Sequence, residues 1–145
     1  MKTVQTRFGA VAYDPERTIV FVRGMLGFEH LKHYVQVRTQ GEAEDDFLVC
    51  LQSVEDGSVA FLLVDPTRYF PAYSCPITDW DRSMLDIGPD QEVLVLSTIT
   101  VHQDRSITMN LAAPVLIAPE RSTAMQTVLE DSAYSPREPL PDVSS

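Results

Sequence analysis

Residues able to bind a metal are few in this sequence, and they are poorly spaced for that purpose. His30 and His33 stand three apart beside Glu29, a spacing that would place two metal ligands on one face of a helix. A structural metal site needs further ligands, and only Cys50 or Cys75 could supply them. We therefore interpret the histidines as surface or hydrogen-bonded side chains, and we predict no metal and no other cofactor.

A second acidic arrangement resembles a calcium-binding loop without completing it. Asp79, Asp81 and Asp90 match the first, third and twelfth positions of such a loop. The sixth position requires glycine for a sharp turn, and the sequence has Met84 there, within an apolar pattern that favours a helix. We reject a calcium site at this position.

The sequence supports a catalytic site no better than it supports a metal site. Glu55 and Asp56 are adjacent in a turn beside Gly57, where carboxylates are typically solvated loop charges rather than an acid/base pair. Nothing in the sequence ties either cysteine to His102 or to another base. The nucleophile elbow, the zinc-protease helix motif and the phosphate-binding loop have no match. The residues therefore predict a protein that is not an enzyme.

The composition favours a protein partner. The chain has 145 residues, enough for one domain with a real core, and a net charge of −10 from 21 acids and 11 bases. This charge argues against direct nucleic-acid binding, which depends on Lys and Arg neutralising phosphates. No apolar run approaches the roughly 18 residues of a membrane helix, and no signal-peptide core precedes Asp14. With two cysteines read as reduced thiols, we expect a cytoplasmic protein.

Most of the chain is predicted to be extended. Apolar runs at 47–52 and 59–64 flank an acidic turn at 53–58, which predicts a hairpin at the centre of a sheet with both faces covered. Further strands are predicted at 2–8, 10–13, 18–22, 33–38, 92–102 and 107–117, and residues 125–129 form either a strand or a short helix. Pro114 indicates an edge or a bulge in the run 107–117.

One short helix, at about 78–88, completes the predicted elements. Thr78 or Asp79 caps it, Trp80, Met84 and Ile87 form its apolar face, and Gly88 with Pro89 ends it. Eight or nine strands with one helix predict a mainly β fold, a single antiparallel β-barrel-like or sandwich domain. We assign this domain to residues 1–131 and expect the proline-containing tail, 132–145, to be poorly ordered.

The stretch 39–67 holds seven acids and no Lys or Arg, namely Glu42, Glu44, Asp45, Asp46, Glu55, Asp56 and Asp65. Two interpretations stay open for it. It is either a solvated rim that keeps the protein soluble or a surface that faces a partner.

Four blocks, in order, resemble the FliW family of flagellar assembly factors: FVRGMLGFE (21–29), LQSVEDGSVAFLLVDP (51–66), NLAAPVLIAP (110–119) and QTVLEDSAYSPREPL (126–140). The likeness covers about residues 18–140. Val22 and Leu26 replace prolines of the family pattern, Gly57-Ser58 replaces a usual Pro-Asp, and Ala118 replaces a usual Asn. The glycine that usually precedes the Gln is displaced or absent around Ala124-Met125. These departures put local turn geometry in question.

The resemblance implies a cytoplasmic adaptor and chaperone that binds flagellin and also binds CsrA, a translational repressor of flagellin messenger RNA. Through these two partners it would couple flagellin translation to flagellin export. An acidic surface would attract a basic RNA-binding repressor. The candidate partner-binding residues are Phe28, Glu29, Asp45, Asp46, Glu55, Asp56, Phe70, Asn110 and Tyr134. For Phe28 and the aromatic cluster 69–73, core packing is the competing interpretation.

Two other classes compete with the adaptor. The first is a small β-barrel that binds a metabolite in its interior without catalysis. The second is a hydrolase that uses buried carboxylates, which a pH–rate screen would reveal.

Overall fold

β-Branched and aromatic runs separated by turn residues make most of this chain extended, as their spacing predicts. In the computed structural model the described residues are 2–6, 9–37, 48–130 and 133–140. The strands are β1 (Lys2–Thr6), β2 (Gly9–Tyr13), β3 (Ile19–Arg23), β4 (His33–Val37), β5 (Leu48–Ser53), β6 (Ala60–Val64), β7 (Leu94–Val101), β8 (Ile107–Met109), β9 (Val115–Ala118), β10 (Thr123–Gln126) and β11 (Glu138–Pro139).

Nine of these strands form one sheet that closes on itself. Its order is β11-β8-β7-β6-β5-β4-β3-β10-β9, and β7 also pairs with β9, so that seven strands form a closed barrel. The first half of β7 pairs with β9 and its second half with β8. Among the described strands, every pairing is antiparallel except that of β10 with β3. The predicted mainly β fold is confirmed, and it is a barrel rather than a sandwich.

The central hairpin forms where the sequence predicts it. Leu48 to Gln52 of β5 pair with Val64 to Ala60 of β6, in the middle of the strand order. Leu51 and Leu63 are fully buried in the barrel core together with Phe21, Tyr34 and Val115. The hairpin therefore contributes directly to the interior that holds the barrel closed.

Two sequence expectations about strands need correction. The run 107–117 is not continuous, because β8 ends at Met109 and β9 begins at Val115, with Asn110 starting the turn between them. The undecided stretch 125–129 is a strand, but it begins earlier, at Thr123, and ends at Gln126. It pairs antiparallel with β9 and parallel with β3, which lies about a hundred residues earlier in the sequence.

The predicted helix forms, but its buried face differs from the prediction. α1 spans Asp79–Leu85 with Thr78 and Asp81 in a reciprocal capping box, and it ends at Asp86 in the left-handed conformation. Leu85 is fully buried against β9 and β10, whereas the Trp80 side chain, expected in the apolar face, is 53% exposed. Met84 and Ile87 pack at the margin of that cluster.

Part of the predicted tail contacts the barrel sheet. Residues 133–140 lie on the sheet, with β11 pairing with β8 through Glu138–Met109 and Pro139–Thr108. Tyr134 and Leu140 pack against a cluster whose buried members are Val64, Tyr73, Met109 and Leu111. Residues 132 and 141–145 of the predicted tail lie outside the described residues, and the division into a domain at 1–131 and a poorly ordered tail stays a prediction.

Candidate protein-binding surface

The tip of the β5–β6 hairpin is held by side chains that the sequence places just before it. The buried hydroxyl of Ser53 accepts hydrogen bonds from the backbone N–H groups of Glu55 and Asp56, at 3.1 and 3.0 Å. The buried amide Nε2 of Gln52 donates to the carbonyls of Ser53, Gly57 and Val59. The acidic tip is therefore fixed by its own hydrogen bonds.

Glu55 links this tip to the start of β4. Its Oε1 accepts hydrogen bonds from the backbone N–H groups of Lys32 and His33, at 2.6 and 2.9 Å, and its Oε2 lies 3.3 Å from Nδ1 of His33. Burial raises the pKa of this carboxyl, but the hydrogen bonds from His33 and Lys32 outweigh that effect and lower it overall. Glu55 thus has a structural role besides its charge.

Asp56, next to Glu55, is held by hydrogen bonds within the turn itself. Its Oδ1 accepts from the N–H and the hydroxyl of Ser58, at 3.0 and 2.7 Å. These two hydrogen bonds lower the pKa of the carboxyl. Asp104 forms the same motif with Ser106 at 3.0 and 2.6 Å, in the turn between β7 and β8.

Gly57 brings the tip into close contact with β1. A Cβ at this position would lie 1.6 Å from the carbonyl oxygen of Gln5, far inside any allowed contact. The β1–β2 hairpin forms a sheet of its own in the strand pairing. Gly57, one of the residues that differ from the family pattern, therefore lies where the tip and the N-terminal hairpin touch.

The acidic stretch 39–67 is not continuous in space among the described residues. Glu55 and Asp56 follow β5, whereas Asp65 follows β6, at the opposite end of that strand. Asp65 caps the 3-10 turn Pro66–Arg68 through Thr67, at 2.9 Å from its N–H and 2.7 Å from its hydroxyl. Asp45 and Asp46 lie outside the described residues.

The candidate aromatic residues pack against the core. Phe28 is half-buried and meets Phe61 edge-on, with ring centroids 5.5 Å apart. Phe70 is half-buried beside the cluster of Tyr73 and Met109. Glu29, next to Phe28, is exposed, and backbone hydrogen bonds from Glu29 itself and Gly27 lower its pKa. Their packing agrees with the structural interpretation, and a partner-binding role for these residues stays a prediction.

Asn110 and Tyr134 make local contacts that organise the chain. Oδ1 of Asn110 accepts from the N–H groups of Ala112 and Ala113, at 3.1 and 3.0 Å, which forms the turn after β8. The hydroxyl of Tyr134 accepts from the N–H of Ser74 at 3.0 Å, and its ring lies 4.5 Å from that of Tyr73, centroid to centroid. The structure thus does not gather the seven candidates that lie among the described residues into one site.

Sequence reasoning missed one exposed cation–π contact and one exposed apolar side chain. The guanidinium of Arg23 lies 5.3 Å from the ring centroid of the exposed Trp80. Leu26 is 56% exposed, and its N–H donates to Oε1 of the buried Gln126 at 2.7 Å. Helical spacing grouped Trp80 with apolar neighbours, and no sequence signal placed Arg23 from a distant strand over its ring.

The described part of the chain contains no group of three His, Cys, Asp or Glu residues arranged to hold a metal ion. Burial raises the pKa of both thiols, Cys50 and Cys75, which disfavours the reactive thiolate. His102 places Nε2 2.9 Å from the Thr108 hydroxyl. No helix within the described ranges is long and apolar enough to span a membrane.

One end of the barrel opens into a cavity. Its volume is about 640 Å³, a size typical of ligand pockets. The walls are mainly aliphatic, and Glu16, Arg17 and Gln36 stand among the polar residues that line it. The aliphatic lining residues are Ala12, Ile19, Val35, Val49, Leu51, Leu94, Leu96 and Ile117.

Comparisons with known proteins agree over nearly the whole chain. A family model described as FliW protein matches residues 2–140. The flagellar assembly factor FliW of Syntrophotalea carbinolica is 44% identical over 140 residues, which cover 97% of this chain and 98% of that protein. FliW 2 of Desulfotalea psychrophila is 37% identical, covering 99% and 93%. A crystal structure of the flagellar assembly factor FliW superposes with a TM-score of 0.84 at 26% identity, covering 99% of this chain and all of that one. The chain belongs to the FliW family.

Proposed function

We propose that this protein is a cytoplasmic flagellar assembly factor that binds flagellin and CsrA in turn and performs no catalysis. The observation that carries this proposal is the family match over residues 2–140, joined by relatives named flagellar assembly factors that align over almost their full length. The two partners come from the resemblance described above, and they fit an acidic protein of net charge −10.

Two linked equilibria are enough for the proposed regulation. A molecule bound to flagellin is withdrawn from CsrA, so abundant unsecreted flagellin leaves the repressor free. Export of flagellin releases this protein, which then binds CsrA and relieves repression. The response depends on the ratio of the partners, and it requires no cofactor.

The hairpin tip supports a role in meeting the basic partner. Glu55 and Asp56 both have lowered pKa values, so both carboxylates are charged at neutral pH. Their backbone is fixed by Ser53, so the two charges are presented without much loss of conformational freedom on binding. Such charges raise the rate of association with a basic protein.

The test of this surface compares two aspartates in the same local motif. Asp56→Lys changes the hairpin tip, while Asp104→Lys changes the β7–β8 turn and adds the same charge. We expect the first to slow association with purified CsrA in stopped-flow measurements, most strongly at low salt, and the second to slow it less. Equal rates for the two variants would remove the tip from the proposed interface. Glu55 is unsuitable for reversal, because it also accepts the hydrogen bonds that hold β4.

The partners themselves need a separate experiment. The purified full chain is mixed with purified flagellin, with purified CsrA, and with both, and the complexes are separated by size. We expect each binary complex to form and flagellin to lower the amount of CsrA complex. Failure of both binary complexes would contradict the proposed function.

The aliphatic cavity at the barrel end favours a second candidate, a barrel that binds a small molecule. Native mass spectrometry of the purified protein distinguishes the two. A retained small molecule would support this alternative, whereas an empty protein that binds its protein partners supports the first.

A further inference from the structure

His33, the first residue of β4, lies against a carboxylate of the hairpin tip. Nδ1 of its imidazole is 3.3 Å from Oε2 of Glu55, and the backbone N–H groups of Lys32 and His33 donate to Oε1 of the same carboxylate. The side chains of His33 and Glu55 are 46% and 36% exposed, so both can exchange protons with solvent. Three groups at the start of β4 therefore converge on one carboxylate, and of these three only the imidazole can change its charge near neutral pH.

A second histidine lies among the other charges of this region. Electrostatic interactions connect His30 with Glu29, its neighbour in the chain, and with Asp56 of the tip. Glu29 also interacts with Lys32. With both histidines neutral, the carboxylates of Glu29, Glu55 and Asp56 and the one lysine give this region a net charge of −2, three negative charges against one positive charge. Two protons, one on each histidine, bring the net charge to zero.

The strands around His33 contribute few other charges. β5 and β6, which carry the tip and are described throughout, have no charged side chain, and neither does β10 on the far side of β3. β3 pairs with the start of β4, but its charged residue, Arg23, lies over the Trp80 ring. β1 touches the tip at Gln5, three residues from its charged residue, Lys2. The charge of His33 therefore acts mainly on the carboxylate that it contacts.

We propose that His33 and Glu55 form a pH-sensitive latch between β4 and the hairpin tip, which closes when His33 is protonated in weakly acidic solution. Protonation turns the contact between imidazole and carboxylate into an ion pair, which adds to the two backbone hydrogen bonds and holds the tip more firmly. This stabilisation is present while the imidazole is charged and is lost as the pH rises and the imidazole loses its proton. The same proton, with a second on His30, removes the net negative charge of the region, so the closed latch attracts a basic partner less.

A double-mutant cycle in the full chain tests the latch itself. The wild type, His33→Gln, Glu55→Gln and the double variant are unfolded with urea at about pH 5.5 and at about pH 8, which span the range where histidine changes charge. Because the pKa of Glu55 is lowered from 4.5, this carboxyl stays charged at both values. We expect the coupling of the two residues to raise the folding equilibrium constant about two- to fivefold at the lower pH and to be at least about twofold smaller at the higher pH.

The matched control is a cycle between His30 and Glu55, because His30 lies in the same loop but interacts with Glu29 and Asp56. Its coupling to Glu55 should change less between the two pH values. The coupling of His33 to Glu55 at the lower pH should also weaken in about 1 M salt, which screens partly exposed charges. A coupling of His33 to Glu55 that is the same at both pH values would overturn the latch.

The effect on a partner rests on the proposed function and is measured with purified CsrA. Stopped-flow association is compared at the same two pH values for the wild type and for the variant that carries both His30→Gln and His33→Gln, so titration of CsrA itself contributes equally to both. We expect acidification to slow the wild type at least about twofold more than the variant. The same pH dependence in both proteins would overturn the effect on the partner. Failure of both to bind CsrA at either pH would contradict the proposed function, while the urea cycle still decides the latch.

Discussion

Substituting Gly57 with alanine probes the contact between the acidic hairpin tip and the N-terminal strand. The added Cβ would lie 1.6 Å from the carbonyl oxygen of Gln5 and 2.7 Å from its carbonyl carbon. Both atoms belong to the backbone, so no side-chain rotation can relieve the overlap. The substitution must move either the tip, which Ser53 and Gln52 hold, or the β1–β2 hairpin.

The size of the effect follows from overpacking. Forced shifts of this kind cost about 1–3 kcal/mol, and for a chain of this length each kcal/mol lowers Tm by about 4 °C. We therefore expect Gly57→Ala to lower Tm by about 4–12 °C. Since β1 and β2 pair only with each other in the described sheets, the N-terminal hairpin is the part that yields. The buried Val4 of β1 should then become more accessible to solvent.

Thermal unfolding followed by circular dichroism measures this prediction, with Gly88→Ala as the matched control. A Cβ at Gly88 would have a single neighbour, the Gln91 side-chain oxygen at 3.9 Å, so this alanine should change stability by less than about 0.5 kcal/mol. Neither glycine has a positive φ, so the two substitutions differ in the steric overlap rather than in backbone strain. Equal Tm values for the two variants would refute the close contact at the tip.

Two further predictions concern Glu55 and the helix. The pKa of Glu55 is lowered in the folded protein, so its charged form stabilises the fold at pH values above the ordinary carboxyl pKa of 4.5. This contribution is lost as the pH falls through 4.5 and below it. The stability advantage of the wild type over Glu55→Gln, measured by urea unfolding, should therefore shrink on acidification. An advantage that is constant with pH would contradict this. Leu85→Ala should lower the free energy of unfolding by about 2–5 kcal/mol, because Leu85 is fully buried. Trp80→Ala should lower it by about 1 kcal/mol or less, since this substitution removes mainly the contact with Arg23. A reversed order in urea unfolding would contradict the observed helix face.

The sequence could predict the elements that short-range chemistry specifies. The β5–β6 hairpin follows from two apolar runs around a turn, and the helix start follows from the capping residue Thr78. The split of the run 107–117 was less visible, because Asn110 makes its turn by accepting two backbone N–H groups rather than through glycine. The family blocks were recognisable because their residues remain in order along the chain.

Long-range pairing explains most of what the sequence could not predict. β10 depends on a parallel pairing with β3, about a hundred residues earlier, and no local pattern records that neighbour. Residues 133–140 have the composition of a tail, whereas their contacts are with β8 and with Ser74, which are distant in the sequence. Trp80 lies on the exposed side of α1 because the core of the barrel covers only the Leu85 side. Periodicity gives the residues that share a face, but the rest of the fold decides which face is buried.

The difference between neighbours in sequence and neighbours in space also decides how the acidic stretch can act on a partner. Glu55 and Asp56 lie at one end of β6 and Asp65 at the other, and the five residues Ala60–Val64 stand between them. At about 3.3 Å per residue, the two groups are roughly 17 Å apart, which is about twice the Debye length of about 8 Å at physiological salt. A partner that touches the tip therefore feels Asp65 only weakly, despite the short distance in sequence. If both ends contact CsrA, the effects of Asp56→Lys and Asp65→Lys on the logarithm of the association rate should add. If only the tip does, Asp65→Lys should behave like Asp104→Lys, and the docking surface shrinks to the hairpin tip.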